Sequence, residues 1–154
     1  MSTESFNIDL NQIPNATNIK FGIVVSNWNS DITSNLLKGS LELLESLNVH
    51  EKNIQLMNVP GSFELVYGCK KMQQKQVDVV IAIGSVIKGE TKHFDFICNA
   101  TSNGIKDLNV NGRCPVIFCV LTDDNMEQSI ARSGGNLGNK GTEAAIAAIK
   151  MAII

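Results

Sequence analysis

The chain has 154 residues, 44% of them apolar and 18% charged, with a formal net charge of −2. That length suits one domain able to bury its own core. The charge gives no electrostatic case for nucleic acid or an anionic membrane as partner, and no apolar run reaches the ~18 residues of a membrane span.

The N-terminus, M-S-T-E-S-F-N-I-D-L, has no basic region followed by an apolar run, so no signal peptide is expected. Residues 1–19 read as an N-terminal arm and residues 20–154 as a single domain. Within the arm, Phe6 to Leu10 alternates apolar and polar side chains, the pattern of a lone edge strand suited to pairing with a neighbouring subunit. Phe21 to Ser26 reads as the first strand of the domain. From Ile32 to Leu47 apolar residues recur at helical spacing. Ile54 to Val59 is a second strand. Pro60-Gly61 is a turn, and Ser62 suits the N-cap of a helix over 63–74.

Val77 to Ile83 is a β-branched run of the kind buried on both faces, and Gly84 is read as its end. Ser85 to Gly89 is then a turn, and Glu90-Thr91-Lys92-His93 the first turn of a helix reaching about Leu108. Val116 to Leu121 is a fourth buried strand. Asp124-x-x-Glu127 fits a capping box for a helix to Arg132. Ser133 to Gly138 is a flexible loop, and 142–154 an Ala-rich closing helix. Four strand–helix alternations imply a four-stranded parallel sheet with helices on both faces. Ligands of such sheets bind beyond the carboxyl ends of the strands.

Those ends hold the candidate residues. Trp28, the only tryptophan, either plugs the end of the core or offers a flat platform to a planar ligand. Glu64 is favoured in a first helical turn by the dipole, and can equally accept hydrogen bonds from a polyol or heterocycle. Gly89-Glu90-Thr91, placed at a helix start, can give amides and a hydroxyl to a phosphate. His93 next to them is suited to proton transfer near neutral pH, whereas His50 lies in a connection at the opposite end. Arg132 and Lys140 flank the Gly-rich loop, where a guanidinium can clamp phosphate. There is no Walker A sequence, no G-x-G-x-x-G and no clustered metal-ligand set. Cys69, Cys98, Cys114 and Cys119 form no C-x-x-C pair and read as reduced, mostly buried thiols of a cytoplasmic protein.

The runs V-P-G-S-F-E-L, D-V-V-I-A-I-G-S-V-I-K-G-E-T-K-H-F-D-F-I-C-N, P-V-I-F-C-V-L-T and E-Q-S-I-A-R-S-G-G-N-L-G-N-K-G, in this order and spacing, closely resemble the 6,7-dimethyl-8-ribityllumazine synthase family over residues 20–154. The resemblance implies a flavodoxin-like three-layer α/β/α sandwich. It implies a transferase of riboflavin biosynthesis that condenses 5-amino-6-(D-ribitylamino)uracil with 3,4-dihydroxy-2-butanone 4-phosphate, without metal or organic cofactor. It further implies a homopentamer, in some members assembled into an icosahedral capsid, with each active site shared between adjacent subunits. Riboflavin synthase is a further partner the resemblance suggests.

Position by position, the resemblance has Trp28 stacking on the pyrimidine, and Asn29, Ser62, Phe63 and Glu64 holding the ribityl chain and nearby polar edges. Val86, Ile87 and Lys88 border the pyrimidine. Gly89, Glu90 and Thr91 receive the phosphate, and His93 moves protons. Phe118 and Arg132 come from the neighbouring subunit, the latter to bind phosphate with support from Lys140. Trp28 stands where the family more often has Phe, Val66 where Pro is frequent, and Cys119 where Gly is frequent. The rival class is a non-catalytic lumazine or flavin carrier on the same fold. Such a carrier needs neither a proton-transfer group nor a phosphate clamp.

Overall fold

A computed structural model describes residues 12–154. The expected strand at residues 6–10 lies outside the described residues. The main sheet consists of β1 (Phe21–Ser26), β2 (Ile54–Val59), β3 (Val79–Ile87) and β4 (Val116–Asp123), all parallel, in the order β2-β1-β3-β4. The helices between and after them are α1 (Ser30–Ser46), α2 (Leu65–Gln73), α3 (His93–Asn111), α4 (Met126–Arg132) and α5 (Lys140–Ala152).

The alternation of side chains along each strand divides the core in two. Phe21, Ile23 and Val25 of β1 and Val79, Ile81 and Ile83 of β3 face one way, onto Ile32, Leu36 and Leu44 of α1 and Ala145 and Ile149 of α5. Val24, Val80 and Ala82 face the other way, with Leu65, Cys69 and Met72 of α2 and Ile105 of α3. The result is the expected three-layer sandwich. The first layer draws in the chain ahead of β1 as well, since Ala16 and Ile19 are buried in it and Ile13 packs against it.

Strand β3 does not end at Gly84. It runs on through Ser85, Val86 and Ile87, which pair with Leu121, Thr122 and Asp123 of β4. Gly84 is there because α2 packs close, not because the strand stops: a Cβ at this position would lie 2.8 Å from both Leu65 Cδ1 and Ser62 Oγ.

Four further local expectations shift. Helix α3 begins at His93, so Gly89, Glu90 and Thr91 belong to the loop ahead of it, and Thr91 Oγ1 accepts the His93 backbone N–H at 3.4 Å. Helix α2 begins at Leu65, and the Ser62 hydroxyl does not cap it. The capping box falls one residue late: Asn125 Oδ1 accepts from Gln128 N at 2.9 Å, while Gln128 Oε1 accepts from Asp124 N at 3.0 Å. The Gly-rich loop folds into a small antiparallel hairpin, β5 (Ser133–Gly135) with β6 (Gly138–Asn139), turned through Gly134 and Gly138 at positive φ.

Helices α1 and α5 meet backbone to backbone. A Cβ on Gly141 would collide with the Leu36 carbonyl oxygen. Three side chains bridge the contact: Ser40 Oγ donates to Gly141 O at 2.8 Å, Thr142 Oγ1 to Gly39 O at 3.1 Å and Asn139 Nδ2 to Asn35 O at 2.8 Å.

Candidate active site

The order β2-β1-β3 means the chain leaves β1 in one direction and returns across it to β3. A crevice opens where the connections diverge, at the carboxyl ends of β1 and β3. It holds a cleft of about 710 Å³, within the usual range for a small-molecule site.

Each wall follows from the strand that feeds it. After β1 the ladder continues one step, with Asn27 N donating to Val59 O at 2.9 Å and Trp28 N to Pro60 O at 3.1 Å. The chain then turns sharply at Asn29, which sits in the left-handed region at φ 56°, ψ 49°. Asparagine tolerates that conformation better than most residues. Its side chain is spent across the sheet, Nδ2 donating to Ser85 O at 3.0 Å, which ties the end of β1 to β3. The turn leaves Trp28 on the rim, 71% exposed.

The loop after β2 supplies Pro60, Gly61, Ser62, Phe63 and Glu64, with Phe63 55% exposed and Glu64 exposed. The floor is Ser85, Val86 and Ile87 at the end of β3. The far wall is Gly89 and Thr91 of the loop, then His93, Phe94 and Ile97 on α3.

Two large apolar rings left in solvent at one cleft are a binding signature rather than a packing one. Ser62 and Ser85 are also among the lining residues; their hydroxyl oxygens, like that of Ser26, are buried from solvent and have no hydrogen-bond partner.

Ten of the expected residues therefore surround one cleft: Trp28, Asn29, Ser62, Phe63, Glu64, Val86, Ile87, Gly89, Thr91 and His93. Lys88 and Glu90 lie in the same loop but do not line it. Lys88 is held at its root, its backbone N–H donating to Asp123 O at 3.0 Å and its ammonium 3.6 Å from Asp124 Oδ1, both side chains exposed. Phe94 and Ile97 were not anticipated. Their signal was available, because with His93 they fall on one face of α3.

Phe118, Arg132 and Lys140 lie elsewhere, on the β4 side. Phe118 and Lys140 line a separate cavity of about 170 Å³ with Cys119 and Glu143. Lys140 is buried there and its Nζ is 2.7 Å from Glu143 Oε1. Burial, with the Glu143 carboxylate adding to it, pushes the Cys119 thiol up to about 12, so it stays neutral. Burial likewise raises Cys69 to about 12, while Cys98 and Cys114 are only part-buried. Arg132 sits at the end of α4, its Nε 3.4 Å from Asp123 Oδ1. Among the described residues no group of three or more His, Cys, Asp or Glu is placed to hold a metal ion, and no helix is long and apolar enough to cross a membrane.

Residues 18–154 match the family model of 6,7-dimethyl-8-ribityllumazine synthase. Proteins of that name resemble this chain along nearly its whole length. The one from Christiangramia forsetii is 60% identical over 99% of this chain and 94% of its own. The one from Flavobacterium johnsoniae is 63% identical over 100% and 83%, and the one from Phocaeicola vulgatus 51% identical over 93% and 86%. With the cleft at its switch point and its sequence matched almost end to end, the chain belongs to the 6,7-dimethyl-8-ribityllumazine synthase family.

Proposed function

We propose that this chain condenses 5-amino-6-(D-ribitylamino)uracil with 3,4-dihydroxy-2-butanone 4-phosphate, releasing phosphate and water, as a step of riboflavin biosynthesis. The observation that carries this reading is the cleft itself, which sets an exposed Trp28, Phe63, Glu64 and His93 around one volume of about 710 Å³.

In this reading Trp28 stacks on the pyrimidine and Ser85, Val86 and Ile87 border its edge. Asn29, Ser62, Phe63 and Glu64 follow the ribityl chain. The loop 88–91 lies towards the phosphate end. The 5-amino group attacks the ketone, and loss of water from the carbinolamine gives an imine. Phosphate leaves, the product tautomerises, and the ribitylamino nitrogen closes on the remaining carbonyl with loss of a second water. His93, exposed at the start of α3 on the cleft wall, carries the protons. Holding two reactants in register supplies roughly 7–11 kcal/mol in favourable cases. General acid–base help then adds the ~10²–10⁴-fold usual for a positioned side chain.

Among the described residues, no lysine or arginine lines the cleft of one subunit. Phe118 and Arg132 lie on its β4 side, outside their own cleft, with Lys140 buried on that side and paired with Glu143. This supports a homopentamer with shared sites, in a reducing cytoplasm in keeping with the four free cysteines. A light-scattering mass distinguishes a pentamer from a larger shell, and a monomer would sink the shared site.

Mixing the protein with both substrates and following lumazine absorbance tests the reaction. Growth of that absorbance in proportion to protein is expected. A folded protein that binds the pyrimidine but forms no lumazine would be the carrier instead.

A further inference from the structure

Asp123 is a buried carboxylate to which neither the cleft nor the mechanism assigns a task. It closes β4, is 6% exposed, and makes three contacts. Its Oδ2 accepts from the buried Ser129 Oγ at 2.7 Å. Its Oδ1 lies 3.4 Å from Arg132 Nε, the arginine side chain being 20% exposed. Its backbone carbonyl accepts the Lys88 N–H at 3.0 Å, at the root of the loop that forms the cleft's far wall. Arg132 Nε is itself buried and has no hydrogen-bond partner, so the Asp123 carboxylate is what holds that end of the guanidinium.

A guanidinium is a rigid planar fork. When a carboxylate occupies the Nε side, the two Nη groups remain at the far end, and no hydrogen bond among the described residues uses them. A long, rotamer-rich side chain is thereby fixed in one direction before ligand arrives, which lowers the ordering cost of binding. Ser129, three residues before Arg132 on the same short helix, fixes the carboxylate in turn.

We propose that Asp123, oriented by Ser129, is the positioning residue that aims Arg132 at the phosphate of the butanone substrate. Its backbone meanwhile anchors the cleft loop of its own subunit, so one residue serves two adjacent sites. This rests on the reading of Arg132 as the phosphate clamp, and the test separates the two.

The Michaelis constants for the phosphate-bearing ketone and the pyrimidine are measured separately, with the inhibition constant of inorganic phosphate, in the assembled full-length protein. Arg132→Ala sets the reference loss. Asp123→Asn keeps the side chain's size and removes the charge. It is expected to raise the ketone-phosphate KM and the phosphate inhibition constant about tenfold, as for a lost charge-assisted contact, with the pyrimidine KM and kcat held within about twofold. Ser129→Ala keeps every charge, releases only Asp123 Oδ2, and is expected to show the same pattern at about threefold.

A phosphate-side KM that is unchanged or lower in Asp123→Asn, while Arg132→Ala raises it, overturns the aiming role and leaves the clamp standing. No change in Arg132→Ala removes the clamp, and this inference with it. If Asp123→Asn fails to fold, Ser129→Ala decides: equal rises for both substrates mean a merely structural contact.

Discussion

The two ends of the sheet treat polar groups in opposite ways. At the amino ends of the strands, side chains close the structure by saturating it. Arg113 donates to three carbonyls, those of Gln73, Lys75 and Val77. Asn109 both donates to Val116 O and accepts from Val116 N, each at 2.9 Å, mimicking one more strand partner. Asp78 and Lys20 exchange bonds in the same way, through Lys20 N to Asp78 Oδ2 and Asp78 N to Lys20 O. At the carboxyl ends, the hydroxyls of Ser26, Ser62 and Ser85 are buried without a partner, and the Trp28 and Phe63 rings stand in solvent. Unmade hydrogen bonds and exposed rings both cost stability, so this end is the less self-sufficient of the two. One end of the sheet holds the molecule together and the other is left for ligands.

The sharpest way to break this contrast is to mutate one end and look for effects of the other kind. His93→Ala is expected to slow turnover by about 10²–10⁴-fold with residual activity and an unchanged melting temperature. An unchanged rate would remove the acid–base role. At the opposite end, Arg113→Ala removes hydrogen bonds to three carbonyls and is expected to cost about 1–3 kcal/mol by chemical denaturation, with KM values unaltered in the protein that remains folded.

Trp28→Ala is expected to raise the pyrimidine KM about tenfold or more, corresponding to roughly 1–3 kcal/mol of lost stacking, with little change for the ketone phosphate. Equal losses for both substrates would mean that the ring merely shapes the loop. The smallest effect belongs to Ser62→Ala. Removing an unsatisfied buried hydroxyl is expected to leave stability unchanged or raise it by about 1 kcal/mol while weakening pyrimidine binding. Lost stability would show that the hydroxyl is already satisfied in the free protein.

Much of this was legible in the residues. The apolar run at 21–26 names its strand to the residue, because a parallel strand buried on both faces leaves that run nearly unbroken, and the strand at 54–59 is legible too, although Gln55 and Asn58 interrupt it as befits a part-exposed edge strand. The ladder of strand, loop and helix then put Trp28, Glu64 and His93 at one end of the sheet. What failed was local punctuation. Gly84 reads as a stop, yet its missing side chain answers a helix that the local sequence cannot see. Residues 90–92 have helix-compatible side chains, but α3 starts only at His93 and no side chain caps Lys92. Nothing in spacing or composition could separate Phe118, Arg132 and Lys140 from the main cleft. Only the family resemblance proposes where they act, because a shared site is a property of two chains.

The α1–α5 contact bears on how the molecule opens. With a glycine at 141 admitting the Leu36 carbonyl, and with Ser40, Thr142 and Asn139 bonded across, neither helix can slide along the other without collision. They form one cooperative unit of local unfolding. In native-state hydrogen exchange their amides should share a single opening free energy, so the rim loop at the start of α1 and the buried lysine at the start of α5 are lost together or not at all.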